Sequence, residues 1–165
     1  MASNINEIID ELSTIATAFA SVNKFNFGNL SEINDTPEKS YPAIYVSHLI
    51  EAKTVRRDGN SHLPKEKEYP LQVIFWDTYT IADKTTLDLQ SKYSALEIIA
   101  DQYWAEVNRR TVTSPDSTRE FMIINYEELT GNYITNAHND VLVGISYNPT
   151  FLADNLQCTT GTFTY

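Results

Sequence analysis

Three histidines, one cysteine, the Gly144-Ile145-Ser146 segment and one adjacent pair of glutamates are the residues whose types could carry chemistry. His48, His62 and His138 are far apart, and none has a second histidine at metal-ligand spacing. A structural or surface role is expected for each. Gly144-Ile145-Ser146-Tyr147-Asn148 begins like a nucleophile elbow, the strained strand-to-helix turn that exposes a serine hydroxyl. It lacks the second glycine, and Ser146 falls inside a strand-like apolar run. Cys158 could attack a substrate only as a thiolate beside a base, and His138 is the base on offer. That pair defines a small-hydrolase reading, ranked third, since a lone cysteine in a polar tail is more often inert. Glu127-Glu128 makes a poor acid–base pair, because neighbours on a strand point to opposite faces. Five glycines in all leave no phosphate-cradling loop. The expectation is therefore a chain with no catalytic residues, no metal and no cofactor.

Charge narrows the partners. Twelve Lys and Arg against 22 Asp and Glu give a formal charge of -10 over 165 residues. Such a chain repels phosphate backbones, which argues against ordinary nucleic-acid binding. No Lys or Arg follows Arg119, whereas Glu120, Glu127, Glu128, Asp140 and Asp154 do. Five of the basic residues, Lys53, Arg56, Arg57, Lys65 and Lys67, fall in one short stretch, interleaved with Glu51, Asp58, Glu66 and Glu68. This is a mixed patch, either a solvated loop or a polar contact for an acidic partner. No apolar run approaches the ~20 residues of a membrane span. The opening Met1-Ala2-Ser3-Asn4 lacks the basic-then-apolar pattern of a signal segment, so a soluble chain made in a cytoplasm is expected.

The elements that must position these residues are legible from spacing. Ile5, Ile8, Ile9, Leu12, Ile15, Ala16, Phe19 and Val22 form one stripe of a helix over about 4–22. Residues 24–28 read as a brief strand. Tyr41-Pro42-Ala43-Ile44-Tyr45-Val46 opens a second, in which Pro42 fits only at the start or at an edge. A third covers 69–77, and pairing it with the second makes a long hairpin whose tip holds the basic stretch. Along that strand Leu71, Val73 and Phe75 face one way, and Ile74 and Trp76 the other. Both faces are apolar: one calls for helices, the other for a second layer or another subunit. Leu89, Tyr93, Leu96, Ala100, Tyr103 and Val107, widened by Ile99 and Trp104, predict a long helix over about 82–110. Strands at 120–128 and 141–147 follow. The fold class is α+β: an antiparallel sheet with a long hairpin, packed against an N-terminal helix and one long central helix. One domain is expected over 1–152, with 153–165 as an extension or arm.

This order of elements resembles the phage tail-terminator and head–tail neck proteins. The likeness rests on the helix at 4–22, the Tyr41-Pro42-Ala43-Ile44-Tyr45-Val46 strand, the strand at 69–78, the helix at about 82–110, and the strands near 120–128 and 140–152. It implies a structural virion protein forming a homo-oligomeric ring, hexameric for preference. Such a ring caps the tail or joins it to the connector, contacts neighbouring connector, tail or collar proteins, and leaves a channel for DNA. On that view Lys53, Arg56, Arg57, Lys65, Lys67, Ile74 and Trp76 are interface candidates. Glu127, Glu128 and Asp140 are candidates to face the lumen, where acid lets a duplex slide without sticking. The alternative is a small acidic binding or assembly-adaptor module, which predicts a second sheet face covered within the chain.

Overall fold

The computed structural model describes residues 5–28, 41–47, 53–55, 66–78, 86–113, 122–123, 125–135 and 142–154. Helix α1 spans Ile5–Ala18 and buries Ile8, Ile9, Leu12, Ile15 and Ala16, the stripe its spacing predicts. It stops short of residue 22 because the chain is drawn into the sheet. The Asn23 amide N–H donates to Pro42 O at 2.8 Å, and its side-chain amide donates to Tyr41 O. Two tight turns in between, Phe19 N to Ala16 O and Val22 N to Phe19 O, keep Phe19 and Val22 against the core.

The strands are β1 (Lys24–Gly28), β2 (Ala43–Ser47), β3 (Lys53–Val55), β4 (Glu66–Pro70), β5 (Val73–Thr78), β6 (Met122–Ile123), β7 (Asn132–Thr135), β8 (Leu142–Tyr147) and β9 (Thr150–Asp154). They form a five-stranded sheet in the order β1-β2-β5-β8-β7 and a four-stranded sheet in the order β3-β4-β9-β6. All pairings are antiparallel except β1 with β2, which run parallel, so the first sheet is mixed. Pro42 sits just before β2, where its missing N–H interrupts no ladder.

The backbone of the molecule is one long ladder. Residues 66–78 pair with 142–154 in unbroken register, from Glu66↔Asp154 to Thr78↔Leu142, and cross from one sheet to the other midway. The crossing has a chemical cause. Leu71 N donates to Pro149 O at 2.9 Å, but Pro149 has no N–H to return the bond. The hairpin is present as expected, β2 against β5 and β3 against β4.

The 120–128 segment is not one strand. After β6 the chain turns into a single 3-10 turn at Tyr126–Glu128. Asn125 would next face Pro149 across the ladder. Instead its side chain bridges the bend: Nδ2 donates to Asn148 O at 3.0 Å, and Oδ1 accepts from Thr150 N at 2.8 Å. Strand β9 runs to Asp154 and buries Ala153, so the core reaches past the boundary drawn at 152.

Helix α2, Thr86–Thr113, has 28 residues and is about 42 Å long at ~1.5 Å per residue. Leu96, Ile99, Ala100, Tyr103, Trp104 and Val107 are buried against the sheet, as their spacing predicts. With α1 they cover Ile44, Val46, Val73, Phe75, Val143, Ile145 and Phe151 in the main core. The two helices are tied by the Tyr103 hydroxyl, which donates to Leu12 O at 3.0 Å, and by Arg110, which bonds the Glu11 carboxylate. Leu71, Val73 and Phe75 lie in this core, while Ile74 and Trp76 join Tyr45 and Leu142 in a second cluster on the other face.

Candidate functional site

Most residues with catalytic potential fall outside the described residues: His48, His62, His138 and Cys158, as well as Arg56, Arg57, Lys65 and Asp140. Ser146 lies mid-strand in β8, 4% exposed, and its Oγ accepts a hydrogen bond from Gln72 Nε2 at 3.0 Å. The strand leads into β9 and not into a helix, so the geometry of a nucleophile elbow is absent there. Among the described residues, no group of three or more His, Cys, Asp or Glu is placed to hold a metal. No described helix is long and apolar enough to cross a membrane.

Of the interface candidates, Lys53 begins β3 and Lys67 sits half-buried on β4 opposite Thr54. Ile74 and Trp76 are 2% and 3% exposed within the single chain, so they offer no open surface to a partner. Gly144 explains how Trp76 is housed. The two face each other across β5 and β8, and a Cβ on Gly144 would lie 2.5 Å from the indole.

Glu127 and Glu128 do not point to opposite faces, because they stand on the 3-10 turn and not on a strand. Both are exposed. With Asn108, Ile123, Asn125 and Tyr126 they line an open cleft of about 400 Å³. Its chemistry is acid and amide, suited to repelling a polyanion or to accepting hydrogen bonds.

A second acidic surface, not anticipated from the sequence, lies where α2 passes edge strand β7. Tyr133 is 59% exposed, its hydroxyl donates to the Glu97 carboxylate, and its ring meets Tyr93 edge-on at 4.8 Å. The Tyr93 hydroxyl in turn donates to Ile134 O at 3.1 Å. Asp101 follows Glu97 by one helical turn, and Ile98 beside them is 56% exposed. The bond to Glu97, first, and then burial and the charge of Glu97 raise the Tyr133 phenol. Tyr147 beneath is pushed up to about 12, by burial and then by Asp101, Glu97 and Tyr133. Residues 130–132 read as a loop by composition; the signal for β7 is only the short Tyr133-Ile134 pair.

A third cluster ties the helices. Glu106 accepts from Arg109 Nε at 2.7 Å and from Arg110 Nε at 2.9 Å, and these bonds hold its carboxyl down at about 2. Asp77, 8% exposed at the end of β5, accepts from Lys92 Nζ at 2.6 Å and from Thr78 N at 2.8 Å. Both clusters are structural ties between elements. No protein-family model matches the chain, and no curated protein matches its sequence.

Proposed function

We propose that this chain is a structural virion protein forming a homo-oligomeric, hexameric ring at a phage head–tail junction, capping the tail or joining it to the connector around a channel for DNA. The observation that carries the reading is the order and pairing of elements: an N-terminal helix, a long hairpin, a long helix across one sheet face, then further antiparallel strands. Charge supports it. Exposed Glu127 and Glu128 beside a polar cleft belong to a chain of net charge -10, which repels a duplex instead of gripping it. In this role the protein works by assembly, without an active site, within the virion.

Light-scattering mass with negative-stain imaging tests the reading: closed rings are expected, and a monomer at every concentration overturns it. One observation favours a second reading, an acidic binding or assembly-adaptor module. The second sheet face, Tyr45, Ile74, Trp76 and Leu142, is already covered within the chain. That reading expects a monomer or dimer in the same measurement.

A further inference from the structure

Among the described residues three large apolar side chains are exposed, Phe27, Ile98 and Tyr133; the last two both adjoin Glu97, Ile98 in sequence on α2 and Tyr133 by its hydrogen bond. On α2, Asp101 is three residues from Ile98 and four from Glu97, so the three are neighbours on the helix, and Tyr133 adjoins them through Glu97. The tyrosine is held in place from two sides, by its bond to Glu97 and by the edge-on Tyr93 ring. A group already fixed loses little freedom when a partner arrives. No described Lys or Arg forms an ion pair with Glu97 or Asp101.

The complement is in the hairpin. The β3–β4 register sets Lys53 opposite Glu68 and Val55 opposite Glu66, so charges at its base offset one another. Residues 56–65 then hold Arg56, Arg57 and Lys65 against Asp58 alone. This is the chain's concentration of positive charge, and guanidinium groups suit both carboxylates and tyrosine faces.

We propose that the Glu97–Ile98–Asp101–Tyr133 surface receives the basic hairpin segment, residues 56–65, of a second copy of this chain. The contact rests on the ring assembly proposed above and names the joint that closes it. The ladder supplies the reason for a second copy. Tyr133 pairs with Ile145, which pairs with Phe75, nine residues along the ladder from Glu66, a path of about 30 Å at ~3.3 Å per residue. Strands β3 and β7 also flank opposite sides of the ladder. Ten residues held at 55 and at 66 can reach at most about 18 Å from those ends, by chain length alone. Donor and receiver are different surfaces, so the contact is heterologous, and its repetition closes a ring when the rotation allows.

The test is mass by light scattering at low salt on four chains: the wild type, Arg56→Glu with Arg57→Glu, Glu97→Arg with Asp101→Arg, and a chain with all four changes. The wild type is expected to assemble, each pair of reversals to weaken assembly at least tenfold, and the four-change chain to recover it. Circular dichroism melts identify any variant that has lost its fold. Should the patch reversal be such a variant, Ile98→Lys replaces it, and the same loss of assembly is expected. A wild type that assembles beside a folded patch variant of unchanged mass overturns this contact and leaves the ring standing. Loss in both pairs without recovery in the four-change chain also overturns it. A monomeric wild type overturns the contact and the ring together.

Discussion

The two faces of the five-stranded sheet are both apolar, yet they are filled on different principles. Under the helices the core is large and redundant. Phe75, Tyr103, Trp104 and Tyr147 meet edge-on at 5.3–6.1 Å, surrounded by aliphatic side chains from both helices. The opposite face holds a cluster of only four buried apolar residues, and its largest, Trp76, lies against Gly144, which leaves it room. Polar groups punctuate that face: Ser146 pairs with Ile74 in register and is bonded by Gln72. Each face also buries one tryptophan, Trp104 or Trp76, whose indole N–H has no hydrogen-bond partner among the described residues. The first face is stabilised by volume, the second by one fit of ring to glycine. A volume-filled core loses much when a large side chain is removed. A fitted one is sensitive to a single added methyl.

The largest effect should come from the helix face. Phe75→Ala empties the centre of the aromatic cluster, and a loss of about 3–5 kcal/mol in urea-unfolding stability is expected. A loss below about 1 kcal/mol would break the claim that this face depends on volume. Gly144→Ala comes next, at about 1–3 kcal/mol, because the new Cβ overlaps the Trp76 indole. In a Trp76→Leu background the same change should be milder, and equal penalties in both backgrounds would refute the fit. Lys92→Met tests the rim of the helix face. Asp77 keeps the Thr78 N–H but loses its cation, and a penalty of about 1 kcal/mol is expected, tempered by the 40% exposure of Lys92.

The smallest effect is a pH dependence. Arg109 and Arg110 hold the Glu106 carboxyl at about 2, below the ~4.3 of an unfolded chain. A depressed carboxylate stabilises the fold above the unfolded value, and that contribution is lost as pH falls through the folded one. Arg110 also reaches Glu11 on α1, so neutralising Glu106 removes one of the two carboxylates that hold the arginine between the helices. Fluorescence of a Trp76→Phe chain, reporting Trp104 alone, should change between pH 5 and pH 2. Glu106→Gln should flatten that change, and an unaltered acid profile would remove the tie from the account.

Local pattern was enough for the helices, the hairpin and the two-sided strand. The stripe from Ile8 to Ala16, the stripe from Leu89 to Val107, and the alternation of Val73 and Phe75 with Ile74 and Trp76 are all buried as their spacing predicts or packed against the core. Each of these is a relation between residues a few positions apart, and side-chain direction follows from backbone period alone. The 120–128 segment departs from its local pattern for the opposite reason. Its apolar residues favour a strand, but the ladder ends where Asn125 meets Pro149, more than twenty residues away. A strand there would put Glu127 and Glu128 on opposite faces, but both stand exposed on one turn. Of the site, the basic hairpin stretch was visible as composition. The Glu97–Ile98–Asp101–Tyr133 surface was not, because its members come from a helix and an edge strand that no sequence period connects.

The sequence by itself determined the α+β class, both helix faces, the long hairpin and the uneven charge. Only the tertiary structure decided where the ladder switches sheets, how Trp76 is housed and which acids share a surface. Those depend on the chemistry of distant partners: a proline with no N–H to return, a glycine with no Cβ to obstruct, and a tyrosine brought to a carboxylate across thirty-six residues.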